Sequence, residues 1–226
     1  IEAQPESAIV LDGASATFSI TATGTDATIR WERRAAGSSA WVAVPGEASA
    51  ELVVAAAAAN DGAAYRAVVS GPIGIDIRDA ALAGGSSVTS TEVTLDVAHA
   101  ASITAQPASV SAPVVPASGD PVARFTVGVA GDPAPSVQWQ RASVGGDFAD
   151  IEGATSSTLE LAYGADDDGT RVRAVVGNGY GDAVTSAEAV LTVGVPAAVT
   201  SAPASTSVAA GSTASFTVGV VGDDDL

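Results

Sequence analysis

The phrase that opens this chain returns twice, and that repetition constrains the fold more than any other feature. Ile1-Glu-Ala-Gln-Pro5, Ile103-Thr-Ala-Gln-Pro107 and Val199-Thr-Ser-Ala-Pro203 stand about 100 residues apart, the spacing of a chain built from repeated domains. Each phrase is followed by a glycine and then by an alternating apolar run: Phe18 and Ile20, Phe125 and Val127, Phe216 and Val218. Alternation at every second residue places one face of a strand in a core and the other in water.

The first two copies stay in step beyond that point. A tryptophan follows in a short strand, Ile29-Arg-Trp31-Glu and Val137-Gln-Trp139-Gln. Trp41 then matches Phe148, Val44 matches Ile151 and Gly46 matches Gly153, and the pair Leu52/Val54 matches Leu159/Leu161. The matching frame suggests Trp41 and Phe148 as core residues. Asn60-Asp-Gly62 and Asp167-Asp-Gly169 lead into Tyr65-Arg-Ala67-Val-Val69 and Val172-Arg-Ala174-Val-Val176, and both copies close after Ser90 and Ser186 on Leu95-Asp-Val97 and Leu191-Thr-Val193. Short alternating strands separated by Gly, Pro, Asp and Ser specify an all-β sandwich or barrel. The alanine run Ala55 to Ala59 is too short and uncapped for a helix and is expected as a turn.

These residues resemble the immunoglobulin superfamily in its bacterial, tandemly repeated, I-set-like and disulfide-free form. The second copy carries the resemblance most fully: Gly131-Asp-Pro133 before Trp139, then Gly153-Ala-Thr-Ser-Ser-Thr-Leu159, Asp168-Gly169 and Asn178-Gly-Tyr-Gly181. The implied fold class is all-β, a tandem of immunoglobulin-like Greek-key sandwiches. In that family a buried Trp packs on an inter-sheet disulfide, and a Tyr two residues before the second Cys forms a corner with the preceding turn. The resemblance assigns the Trp to Trp31 and Trp139 and the two cysteine positions to Ile20 with Ala67 and Val127 with Ala174. It gives the corner to Tyr65, with Val172 in its place in the second copy. Apolar packing then replaces a cross-link worth roughly 2–4 kcal/mol.

With 226 residues and about 100 per sandwich, the expected organisation is a first domain over 1–97, a linker at 98–102 and a second domain over 103–193. A second linker at 194–198 and a partial third domain at 199–226 follow. Linkers of about five residues restrict hinge angles and favour an extended rod. The first domain carries an insertion at about 71–87 in its last hairpin, because the stretch between Val69 and Ser90 is longer than that between Val176 and Ser186. Ile73, Ile75, Ile77 and Arg78 in this insertion belong either to an elongated hairpin or added edge strand, or to a contact with a ligand or neighbour. In the third copy Phe216, Val218 and Val220 would lie open, since two strands cannot bury a core. The chain is then either an excerpt of a longer array or a half-sandwich completed by strands from another copy.

Composition narrows the function. The net charge is −17, every one of the nine cations is arginine, and there is no cysteine and one histidine. So acidic a surface repels nucleic acid and anionic lipid. No apolar run is long enough for a membrane span. Without Lys, no Lys-Asn isopeptide cross-link can form. With His99 alone in the first linker and no Cys, a Ser-His-Asp or Cys-His nucleophile and a His- or Cys-ligated metal are excluded within one chain. Asp166, Asp167 and Asp168 are weak candidates as calcium ligands, the one cofactor the acids suggest, although Asp before Gly169 is also ordinary turn chemistry. The expected function is a non-enzymatic extracellular structural or adhesive repeat of a bacterial surface protein, stalk or filament. Its partners would be other copies of itself, neighbouring repeats, or a surface protein or glycan. The alternative is an accessory binding module of an exported carbohydrate-active enzyme, for which Trp41 and Tyr180 are the candidate exposed aromatics.

Overall fold

The computed structural model describes residues 1–24, 26–72, 85–114, 121–194 and 197–222. The chain divides into two compact units, one of Ile1–Ala100 with Gly131–Pro133 and Asn178–Asp182, the other of Ala101–Ala130, Ala134–Gly177 and Ala183–Leu226.

In the first unit the strands are β1 (Ala8–Leu11), β2 (Ser15–Ser19), β3 (Thr28–Arg34), β4 (Val42–Ala43), β5 (Glu51–Ala55), β6 (Ala63–Pro72), β7 (Gly85–Thr89) and β8 (Val93–Ala105). One sheet runs β1-β8-β6-β3-β4, and the other pairs β2 with β5. Neighbours are antiparallel except β1 and β8, which run parallel from Ala8↔Leu95 to Leu11↔Ala98. Burial alternates strictly along β2 and β5, so each strand turns one row of side chains inward against the opposite sheet. The second unit repeats the plan with β9 (Val110–Pro113), β10 (Val122–Thr126), β11 (Gly128–Asp132), β12 (Ser136–Ala142), β13 (Ala149–Asp150), β14 (Thr158–Ala162), β15 (Thr170–Gly177), β16 (Val184–Thr185) and β17 (Ala189–Gly194). Its sheets run β13-β12-β15-β17-β9 and β10-β14. The fold is therefore a tandem of immunoglobulin-like β-sandwiches, as the repeat implies.

Each core is centred on its tryptophan. Trp31 and Trp139 are fully buried, together with Phe18, Leu52 and Leu95 in one cluster and Phe125, Val172 and Leu191 in the other. The disulfide positions are filled as expected: Ile20 and Ala67 lie in the first cluster, Val127 and Ala174 in the second. Each indole N–H reaches a main-chain carbonyl, Ser49 O and Ser156 O, at 2.9 Å. This matters because a buried donor left without an acceptor costs about 1–3 kcal/mol.

Polar side chains then hold the last strand of each sandwich by matched bonds. The Ala67 N–H donates to Ser90 Oγ and the Ala174 N–H to Ser186 Oγ, both at 2.9 Å, and each hydroxyl donates onward to the next carbonyl at 2.8 Å. Gln4 and Gln106 of the repeated phrase accept from the Thr91 and Ala187 N–H groups at 2.8 Å. Ser7 and Ser109 accept from Thr94 and Val190 at 3.0 Å. Asp61 and Asp168, beside the turn glycines, accept from Val97 at 2.9 Å and Val193 at 2.8 Å. Gly62 and Gly169 sit at φ +63° and +73°, a conformation that only glycine adopts without strain.

The tyrosine corner expected at Tyr65 does not form among the described residues. Tyr65 is buried and stacked on Phe18, with ring centroids 5.2 Å apart, but its hydroxyl has no partner among the described residues, so it makes no tyrosine corner. Arg33 donates to the Ala59 carbonyl in the turn before β6. Residues 98–102 have extended backbone within the bounds of β8; Val195 and Pro196 of the second linker fall outside the described residues. The insertion lengthens a hairpin at its base: β6 pairs with β7 from Val68↔Thr89 to Pro72↔Gly85, whereas β15 pairs with β16 at only Val175↔Thr185 and Val176↔Val184. The alanine run closes in a 3₁₀ turn at Ala58–Asn60.

In the third copy β18 (Ala198–Ser201) pairs with β19 (Gly219–Val221), as Ala3 pairs with Thr21 in the first. The strand expected over Phe216 to Val220 forms only from Gly219, because no facing strand is there among the described residues to pair with those before it.

Substituting Ser90→Ala and Ser186→Ala, each in the whole chain, leaves the Ala67 or Ala174 N–H buried without its side-chain acceptor. Each is expected to cost about 1–3 kcal/mol, read as a lower urea midpoint with an unchanged slope.

Candidate functional site

Of the residues singled out in the sequence, Ile73, Ile75, Ile77 and Arg78 lie outside the described residues. Phe216, Val218 and Val220 are exposed, by 65%, 51% and 69%, and so lie open as expected. His99 is exposed on β8. Asp167 Oδ2 accepts from the Gly164 N–H at 2.8 Å, and Asp168 is committed to Val193. Among the described residues no three His, Cys, Asp or Glu side chains converge as a metal site requires.

The described chemistry concentrates on one face of each sandwich, where arginines gather. On that outer face Arg30 and Arg34 lie on β3 and Arg66 on β6, while Arg171 and Arg173 lie on β15. Strand alternation turns Arg30, Glu32 and Arg34 away from the core, on the side opposite Trp31. Glu32 is central: it meets Arg30 at 2.6 Å and Arg66 at 2.7 Å, and in register Glu32 faces Arg66 across the two strands. Burial raises the pKa of this carboxyl, but hydrogen bonds and charge attraction from Arg66 and Arg30 outweigh it and hold the group below the ordinary carboxylate range.

Trp41 and Phe148 are corrections to the expectation. Neither is in a core; both are half-buried on this outer face. The Arg66 guanidinium lies 4.1 Å and that of Arg34 5.2 Å from the centre of Trp41. Arg173 and Arg171 take the same places over Phe148, at 4.0 and 5.1 Å. A guanidinium on the ring is held by the negative charge of the π face. The two frames matched in sequence because the position is the same in both sandwiches; its aromaticity reads equally as core or as a ring awaiting a cation, which is why the sequence misplaced it.

The two faces differ in charge. Where the first has Arg30, Glu32 and Arg66, the second has Gln138, Gln140 and Arg173. Arg173 Nε donates to Gln140 Oε1 at 2.8 Å, and Gln140 donates to Asp150 at 2.8 Å. Arg34 pairs with Glu92 and Arg171 with Glu188, the latter at 3.2 Å. Most of the positive charge is thus answered internally, and the rings are occupied by guanidinium. On these two faces, among the described residues, both rings lie under a guanidinium.

Fold and face together define a disulfide-free tandem of immunoglobulin-like domains. No protein-family model matches the chain. Among curated proteins it is similar to Endoglucanase C of Cellulomonas fimi, 38% identical over 184 residues, which is 80% of this chain. The chain spans 15% of the length of that relative. Among solved structures it is similar to an I-band fragment of titin, with TM-score 0.60 and 20% identity over 89% of this chain and 68% of that one. It is also similar to the first two domains of Rst, with TM-score 0.55 and 19% identity over 84% of this chain and 96% of that one.

Because the Glu32 carboxyl titrates below its unfolded value, its stabilisation is present above the ordinary carboxylate range and is lost as pH falls through the lowered folded value. The first sandwich should lose stability on acidification, and Glu32→Gln should reduce that dependence. The measurement is the urea midpoint followed from neutral to acid pH in both forms.

Proposed function

We propose that this chain is a non-catalytic structural segment of an exported bacterial polysaccharide-degrading protein, spacing or presenting working domains that lie elsewhere in that protein. The observation that carries this reading is the likeness to a segment amounting to 15% of Endoglucanase C, a protein whose name is that of a cellulase. Three further features support it. The repeat is a fold used widely as a spacer, the inventory of one His and no Cys leaves no His-based nucleophile, and the aromatic rings on the outer faces are covered by arginine rather than open to a sugar. Its place is extracellular or on the cell surface. No helix among the described residues is long and apolar enough to cross a membrane.

A glycan-binding module stacks sugar rings on exposed aromatics; a spacer has no need of them. The chain mixed with insoluble cellulose and sedimented is expected to remain in the supernatant across its soluble concentration range. Saturable retention on the cellulose would overturn the spacer reading and favour an accessory binding module.

The exposed Phe216, Val218 and Val220 favour a second reading, a surface filament or adhesive array in which strands from another copy cover the open third repeat. Light scattering at rising concentration separates the two. A mass that stays monomeric removes the filament, and a concentration-dependent rise that Phe216→Ser abolishes supports it.

A further inference from the structure

The two covered rings receive their outer cation from different strands. In the first sandwich, the more distant guanidinium over Trp41 comes from Arg34 on β3, and the residue directly opposite it in the ladder is Ala64 on β6. In the second, the corresponding guanidinium over Phe148 comes from Arg171 on β15, and the residue opposite is Ala142 on β12. Counted from the tryptophans, Arg34 corresponds to Ala142; counted along the following strand, Ala64 corresponds to Arg171. The arginine and the alanine have exchanged strands across one registered pair.

What surrounds the cation has stayed the same. Arg34 donates to the Ser38 carbonyl at 3.2 Å, in the turn between β3 and β4, and pairs with Glu92. Arg171 donates to the Gly146 carbonyl at 2.8 Å, in the turn between β12 and β13, and pairs with Glu188 at 3.2 Å. The opposing alanine is buried in both cases, 4% exposed at Ala64 and 3% at Ala142, so a second long side chain has no room there while the arginine is in place.

We propose that ring, paired guanidiniums and glutamate form one clasp on each sandwich. It ties the turn between the third and fourth strands to the start of the last strand, and its outer cation can be supplied from either of two facing strands. The constraint is on the position of the charge and not on the residue that carries it. Facing positions in a ladder project to the same side about 5 Å apart, so a flexible guanidinium reaches the same ring, carbonyl and carboxylate from either strand. Only one of the pair can be large.

The test is strand exchange within the first sandwich of the whole chain: Arg34→Ala, Ala64→Arg and the double variant. Stability is read as urea unfolding, and the cover over Trp41 as iodide quenching of its fluorescence. Removing the cation is expected to lower the folding equilibrium constant roughly two- to five-fold, the size of an exposed cation–π contact, and to raise quenching of Trp41. Ala64→Arg alone is expected to destabilise by crowding, while the double variant recovers both readouts. Losses that simply add in the double variant, or an Arg34→Ala change that moves neither readout, overturn the proposal. Should Ala64→Arg alone not fold, a folded double variant is itself the rescue and an unfolded one refutes it.

Discussion

Both sandwiches depend on burying one indole in a fold that lacks its usual cross-link. Trp31 and Trp139 occupy the centre of their clusters, and each N–H finds a carbonyl at 2.9 Å on the segment leading into β5 or β14. That bond ties the tryptophan strand of one sheet to the approach of a strand in the other. In the same clusters lie Ile20 with Ala67, and Val127 with Ala174. An apolar pair and a satisfied indole thus join the two sheets by packing, where a covalent bond would act chiefly by restricting the unfolded chain.

A second level of order sits at the sandwich edge. Gln4, Ser7, Asp61 and Ser90, and their counterparts Gln106, Ser109, Asp168 and Ser186, each accept a main-chain N–H of the last strand or its neighbour. This explains why the repeated phrase is polar as well as apolar: its Gln and Ser are acceptors for N–H groups nearly a whole domain away in sequence. The third copy has Ala202 at the Gln position and keeps Ser205. The acceptor bond made by Gln4 and Gln106 therefore has no equivalent from that position.

The outer faces show how two copies diverge without altering the scaffold. The charged pair Arg30 and Glu32 corresponds to the neutral pair Gln138 and Gln140, a replacement that removes one charge of each sign. Near-surface ion pairs contribute little to stability individually, which leaves them free to change, whereas the ring with its cations appears twice despite a Trp-to-Phe change and an exchange of strands.

Strand alternation, the tryptophan frame and the glycine turns are local patterns, and their recurrence at domain spacing admits few architectures, so the fold was legible in the amino-acid order alone. The filling of the disulfide positions by Ile20, Ala67, Val127 and Ala174 was what the family resemblance implied, and the clusters hold all four. Tertiary structure alone placed Trp41 and Phe148 on the outside, since an aromatic in a short edge segment has no periodicity to say which way it faces. It alone showed the Tyr65 hydroxyl without a partner among the described residues. The clasp needed the ladder: Arg34 and Ala64 are far apart in the chain, and only their registry across β3 and β6 makes them alternatives for one charge.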